Sequence, residues 1–594
     1  MDTDRRLRGH ERPNRRILIV WALLSAIFLV IGWPGIQQGQ FPDPDDALRF
    51  VQVRDLLAGQ PWFDLHQYRI APPDGVVMHW SRLVDVPLAA IILALTPLLG
   101  VSSAELVALI AVPLLTLGAV LFMIGRLAWR LFDVDVAGLA CLSVGLFAPL
   151  VFQLQPMRVD HHGWQILAVA AALWSISMRY YLSGGSLAGL AMATGLSISI
   201  ELLPIAAAFG LVLALRWLRD PAARWWLVSY MQALALGLFI LFFATRGIAG
   251  LAQYCDAISP AHLGFFLIAA IGTGVIAAMP RMPMPVIAGL FGVTGAVGLA
   301  FFALSAPACL ATPLGDLDPL VHKFWYLNIA EGRPLWEQDP WRAIPVFLQI
   351  LVAFVASITL ALRSHDWLRS WWTEYTLLFA AAILLSLFVW RSAAFAAVLG
   401  AVPLGWLASG LLHRFRIAQG AGQKITLTLA ILMVFVPSAP FNLAAKLMPG
   451  QTHVPALSAE ASGCAIRQQA RRLDRLRPAT IFAPFDVGPA LLVGSGHSVV
   501  ATSHHRAEAA MHDVIKAFTS PADGARAIIG KYDADYVVMC TDLAEPALFA
   551  SANPDGLAAD LLADRAPAWL QPVFIPAGSA TFKVWKVRKD QPVD

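Results

Sequence analysis

The sequence predicts an α-helical polytopic membrane protein with about thirteen transmembrane helices and a C-terminal α/β domain outside the membrane. Three observations carry this. Of 594 residues, 58% are hydrophobic and 14% charged, whereas a soluble chain has about a quarter of its residues charged. Apolar runs near bilayer-crossing length recur up to about residue 441. Beyond about residue 442 the chain turns polar, and short strand-like runs alternate with helical ones.

Residues 1–16, "MDTDRRLRGHERPNRR", form a basic tail with six Arg before the first apolar run. No small-x-small cleavage site follows, so the run reads as an uncleaved first helix with a cytoplasmic tail. The transmembrane part is 17–441. Its expected spans lie near 17–36, 105–125, 136–155, 163–180, 185–200, 202–216, 227–245, 263–280, 286–305, 343–362, 374–390, 393–412 and 425–441. The stretch "VPLAAIILALTPLLG" (86–100) is apolar but short, with a Pro near each end. Leaving it out of the spans puts most Arg and Lys on one side, which the positive-inside rule makes cytoplasmic. The expected topology is N-in and C-out in the cell inner (plasma) membrane, with long external loops at 37–104 and 306–342.

The remainder, 442–594, reads as an extracytoplasmic or periplasmic α/β domain. "TIFAP", "ALLVGS", "HSVVATS", "DYVVMC" and "TFKVWKV" read as strands, and "AEAAMHDVIKAF" and "GARAIIGKY" as helices. Five Cys form no CxxC or metal-type cluster; a disulfide between Cys464 and Cys540 is open, since spacing alone does not set geometry. There is no P-loop, dinucleotide fingerprint, internal repeat or nucleic-acid motif, so no nucleic-acid partner is expected. The bilayer itself is one.

The external loops hold the chemistry. "FPDPDDALRF" (41–50) puts Asp43, Asp45 and Asp46 just beyond the first span. Pro42 and Pro44 stiffen the turn, and Asp43, Asp46 and Arg49 recur every three residues, one face of a helix. "QPMRVDHHGWQ" (155–165) is so short that Asp160, His161 and His162 are pinned at the membrane surface. A third loop carries "HKFWYLNIAEGRPLWEQDPWR" (322–342) with Glu331. Each has an ordinary reading, as a helix cap, a turn or solvated histidines. Together they converge on one face of a charge-poor bundle, where polar groups are costly and tend to be functional. Carboxylates at 43 and 160 suit a hard divalent cation, Mn²⁺ or Mg²⁺.

On these residues the chain resembles the GT-C-fold glycosyltransferases, specifically the single-chain oligosaccharyltransferase catalytic subunit. The resemblance runs along nearly the full length: thirteen helices, a long first external loop and a C-terminal extracytoplasmic α/β domain. The family's Asp-Pro with an Arg six residues on matches Asp43-Pro44 and Arg49. Its second acidic motif matches Asp160-His161-His162, its fifth-loop Glu matches Glu331, and its late-helix Arg matches Arg391 in "FVWRSAAF". The family's Trp-Trp-Asp-Tyr-Gly motif is not kept: in "IFAPFDVGPALLVG", Asp486 and Gly488 remain, but Ala483-Pro484-Phe485 replaces the aromatic pair.

The resemblance implies transfer of a sugar or oligosaccharide from a polyprenyl-phosphate-linked donor to a lipid, glycan or protein acceptor. It implies Asp43, Asp160 and Glu331 as catalytic groups, with Asp43, Asp160 and His161 holding the metal. Arg391 would meet the lipid phosphate, which suits a guanidinium fork. Asp46, Arg49, Arg158, His162 and Asp486 would line the substrate site, and His505 and Arg506 of "TSHHRAEAAMHD" would face the acceptor, with His504 beside them. Glu201, in apolar sequence beside Pro204, faces either the site or a neighbouring helix. The rival reading is a lipid or polysaccharide transporter or flippase. It fits less well, because the acids lie in outside loops and the halves show no repeat.

Overall fold

Pro13 opens the first helix and Gly39 closes it: Pro13–Gln38 ends where Gly39 takes a φ of +65°, a left-handed cap that glycine adopts without a steric penalty. The computed structural model describes residues 12–252, 254–310, 317–439, 464–576 and 578–589. Most of the basic tail and the start of the expected C-terminal domain therefore lie outside the described residues.

The chain is a multi-pass membrane protein. Nine helices among the described residues are long and apolar enough to cross a bilayer, fewer than the thirteen expected. The four others form helices too, but depart from simple spans. Val134–Val144 and Ala148–Leu154 are two pieces bent by 74°. Pro149 enters the second piece without an N–H, and Gly145 at the break lies against Leu24. His162–Ile176 and Ala421–Phe435 are 15 residues each, about 22 Å of helix against a hydrocarbon core of about 30 Å. Tyr181–Ile198 is diluted by Gly and Ser. The excluded segment 86–100 is the short helix Asp85–Leu99, turned back by Gly100 into Val101–Leu131.

Small residues let the helices approach closely, as membrane packing favours. A Cβ on Gly189 would sit 2.3 Å from the Tyr230 carbonyl, and one on Gly405 2.5 Å from the Ala140 nitrogen. The buried ion pair Arg216–Glu374 (2.5 Å) marks one end of the bundle. Glu201 lies at the other end of the same span, Ile200–Arg219.

Outside the bundle, a ribbon of β1 (His66–Gln67) and β2 (Val76–Val77) sits in the long first loop. The C-terminal region holds a five-stranded sheet ordered β4-β3-β5-β7-β6, from β3 (Thr480–Phe482), β4 (Ser498–Val499), β5 (Tyr536–Cys540), β6 (Leu570–Pro572) and β7 (Phe582–Val587). β3 pairs parallel with β4 and β5, and β7 antiparallel with β5 and β6. The stretch "ALLVGS", expected as a strand, is instead the helix Gly488–Gly494. Pro489 suits a first helical turn, and a short apolar run does not tell strand from buried helix. The two expected helices are Glu508–Thr519 and Ala522–Lys531.

The C-terminal region is bound to the first loop. Ile70 bridges Val499, extending the sheet edge by one residue. Arg69 donates to the carbonyls of Leu492, Ser495 and His497, and Arg54 to that of Val493. Cys464 is joined to Cys540, resolving the open pairing, and Cys255 to Cys309, a pair the spacing did not suggest.

Candidate active site

Asp43 caps the helix Pro44–Leu57, its side chain accepting the Asp45 N–H at 2.9 Å. Pro44 at the first helical position and the acids in the first turn complement the helix N-terminus. The helix thereby divides its acids. Asp46 turns inward, fully buried, and accepts the Val159 and Asp160 N–H groups at 2.8 Å each and Arg158 at 2.9 Å. Arg158 also reaches Asp43 at 3.2 Å. Asp46 and Arg158, expected to bind substrate, instead clasp the second acidic loop to the first. Burial pushes the Asp46 carboxyl up to about 7 despite Arg158 beside it.

The clasp sets Asp160. Its Oδ1 bonds His161 Nδ1 at 2.5 Å, while its Oδ2 is buried without a hydrogen-bond partner. His162 Nε2 lies 3.6 Å from that oxygen and 4.0 Å from Glu331 Oε1. His161, expected as a metal ligand, is thus engaged by Asp160. Burial alone would lower its pKa, but the carboxylate outweighs this and raises it to about 10. The imidazole that faces the free oxygen is His162. Asp45, the third acid of "FPDPDDALRF", is electrostatically part of the same cluster: burial and the Asp43 and Asp160 carboxylates push it well above the usual carboxylate range.

Arg391 opens the span Trp390–Ile417 and pairs with Glu201 at 2.6 Å and Glu331 at 3.5 Å. Glu201 therefore faces the site. A small, open recess is lined by His162, Gln165, Glu201, Arg391 and Phe395, among others. Across the wider cluster, the carboxylates of Asp43, Asp45, Asp46, Asp160, Glu201 and Glu331 outnumber the guanidiniums of Arg158 and Arg391, a balance that an added cation would relieve. Asp486 meets the site from the C-terminal region: burial and the Asp43 charge raise it to about 6. The N–H groups of Phe485 and Asp486 bond Glu545 at 2.8 and 3.0 Å, fixing that turn.

Three expected residues lie elsewhere. Arg49 is fully buried and pairs with Asp85 at 3.1 Å over Trp80, away from the acidic recess. Arg82 pairs with the same carboxylate at 3.2 Å. Asp85→Ala strands two buried guanidiniums and is expected to cost about 3–5 kcal/mol, read as a lower thermal unfolding midpoint in detergent. His505 and Arg506 are engaged by Asp256, at 2.7 Å each. Beside them His79 and His504 are held well below the usual histidine range by burial and by neighbouring histidines.

No protein-family profile matches the sequence, and no curated protein matches it. Solved structures do. The chain aligns with the archaeal oligosaccharyltransferase AglB from Archaeoglobus fulgidus, solved with an inhibitory peptide and a dolichol-phosphate. The TM-score is 0.66 at 14% identity, covering 97% of this chain and 75% of that one. The apo form of the Archaeoglobus fulgidus enzyme gives 0.66 at 15%, covering 98% and 75%. Its complex with Zn and sulfate gives 0.59 at 14%, covering 97% and 74%. At these identities the likeness is one of fold, and on that likeness the chain has a GT-C-like fold resembling that of the oligosaccharyltransferase catalytic subunit.

Proposed function

We propose that the chain is a membrane glycosyltransferase that moves a sugar or oligosaccharide from a polyprenyl-phosphate-linked donor to an acceptor on the extracytoplasmic side. The observation that carries this is the convergence of the free Asp160 Oδ2, His162, Glu331 and Arg391 from separate segments at one end of the bundle. Two disulfides support an oxidising outer compartment for that end, with the termini arranged N-in and C-out in the inner membrane.

The donor set suits a divalent cation. A buried carboxylate oxygen lacks a partner, and oxygen ligands with one imidazole fit Mn²⁺ or Mg²⁺. Asp43, Asp160, His162 and Glu331 would hold the ion, which supplies stabilisation of the charge growing on the leaving phosphate. Arg391 presents its guanidinium beside Glu201 and Glu331, where it binds the lipid phosphate. Asp43, partly exposed, takes the proton of the attacking acceptor. The Ala483-Pro484-Phe485 turn carries no aromatic pair, which favours a lipid, glycan or differently read protein acceptor over a peptide recognised by that motif.

The test incubates purified protein with a panel of polyprenyl-linked mono- and oligosaccharides and a membrane extract of lipid, glycan and protein acceptors, with water taking the sugar where none fits, and follows free polyprenyl phosphate by mass spectrometry. Release with one donor class supports the reading; intact donors throughout, from folded protein, count against it. With that donor, Arg391→Ala is expected to raise KM by about 10- to 100-fold, the worth of a charged hydrogen bond of about 1.5–3 kcal/mol, with a smaller change in kcat. Rates against donor concentration check this.

A further inference from the structure

His79 meets the adjacent pair His504-His505, distant from it in sequence, outside the acidic recess. His79 lies in the first external loop, and His504 and His505 follow β4. One ring nitrogen from each lies within 4.8 Å of the others. The ring centroids are 5.0, 4.9 and 4.9 Å apart. His79 Nδ1 faces His504 Nε2 at 3.0 Å, so the two lone pairs need a shared proton or a shared ion between them. His504 is 2% exposed, and its Nδ1 has no hydrogen-bond partner. Nitrogens around a tetrahedral ion with bonds of about 2.0–2.1 Å stand roughly 3.3 Å apart, within reach of small ring movements here.

The groups behind the histidines fit the same use. Asp256 accepts His505 Nε2 at 2.7 Å and lies 3.9 Å from His79 Nδ1. Arg506 holds that carboxylate through two bonds, at 2.9 and 2.7 Å. A carboxylate behind a histidine fixes the ring and raises its basicity as a ligand. Asp256 is in turn anchored by its neighbour Cys255, joined to Cys309. Nitrogen ligands select Zn²⁺ and its first-row neighbours over Mg²⁺ or Ca²⁺.

We propose that His79, His504 and His505 bind a Zn²⁺-class ion that clamps the C-terminal α/β region onto the first external loop. None of the three belongs to the acidic recess, so the site stands or falls apart from the proposed transferase activity. Arg506 is a positioning residue here, acting through Asp256.

The experiment strips full-length protein in detergent with a chelator, dialyses it against ZnCl₂ and counts bound zinc by mass spectrometry. The Asp160→Asn/Glu331→Gln variant removes the acidic site from the count. It is expected to keep one zinc per chain and to gain a higher thermal unfolding midpoint with ZnCl₂. Adding His79→Gln, or His504→Gln with His505→Gln, is expected to weaken zinc binding about tenfold or more and to abolish the d–d spectrum of a tetrahedral Co²⁺ substitute. The proposal is overturned if Asp160→Asn/Glu331→Gln takes up no zinc and shows no zinc-dependent shift. It is overturned equally if the histidine variants keep wild-type zinc and the Co²⁺ spectrum. The first arm leaves the histidines untouched, so misfolding of a histidine variant does not blunt it.

Discussion

Asp160→Asn is expected to lower polyprenyl phosphate release by about 10²- to 10³-fold, the loss typical when a group aimed at developing charge is removed. The substitution is nearly isosteric. Its remaining oxygen still accepts from His161, as Oδ1 does at 2.5 Å. The change falls on the other position, where an amide N–H₂ replaces the buried, unpartnered oxygen that faces His162 at 3.6 Å. A donor there cannot hold a cation. The unfolding midpoint should stay close to wild type, which separates this loss from misfolding. His161→Gln removes a group behind the ligand and is expected to cost less, about 10- to 100-fold. Initial rates and thermal unfolding of both variants check the pair.

Asp46→Ala is expected to destabilise the protein by about 3–5 kcal/mol and to abolish release with it. The carboxylate is fully buried and accepts two backbone N–H groups and one guanidinium. Removing it leaves those donors in a dry environment and takes away the main partner of a buried Arg158. The residue after each bond matters as much. Val159 and Asp160 are the positions held, so their release unfixes Asp160 and His162 together. Asp46→Asn keeps an oxygen for the N–H groups, and Arg158 keeps Asp43 at 3.2 Å. It should therefore recover much of the stability and part of the rate. Thermal unfolding and proteolysis of the 155–165 loop distinguish the two variants.

What the sequence disclosed, and what it hid, follows from the range of each interaction. Apolar run lengths are local, so every expected span corresponds to a helix. Whether a helix crosses depends on breaks such as Gly145 and Pro149, and on the Gly and Ser content of Tyr181–Ile198, which bear on only a few residues. Asp43, Asp160, Glu331 and Arg391 stand out in the sequence because charge is scarce in this apolar bundle, and the structure brings the last three to one end of it. The direction each side chain takes was not legible. The first turn of Pro44–Leu57 buries Asp46 fully and leaves Asp45 only partly buried, within electrostatic range of Asp160 and Arg391, a division that "DPDD" does not encode by itself. The same holds for His161 and His162, which face different oxygens of Asp160 from one backbone turn. Arg49 shared the helical spacing of Asp46, but its partner Asp85 is 36 residues on. The meeting of His79 with His504 spans 425 residues, beyond any periodicity or spacing argument. The pairing of Cys255 with Cys309 is of the same kind.

The central claim is that the acids around Asp160 support transfer from a polyprenyl-phosphate-linked sugar with a divalent cation bound. The measurement that tests it most directly is metal add-back. Wild type and Asp160→Asn are stripped of metal, supplied with the donor identified from the panel, and titrated with Mn²⁺ while free polyprenyl phosphate is quantified. The account predicts no release from stripped wild type, full release on adding Mn²⁺, and release that stays about 10²- to 10³-fold lower in Asp160→Asn at the same Mn²⁺. Release from stripped wild type at the undiminished rate, or equal release from Asp160→Asn, would contradict it.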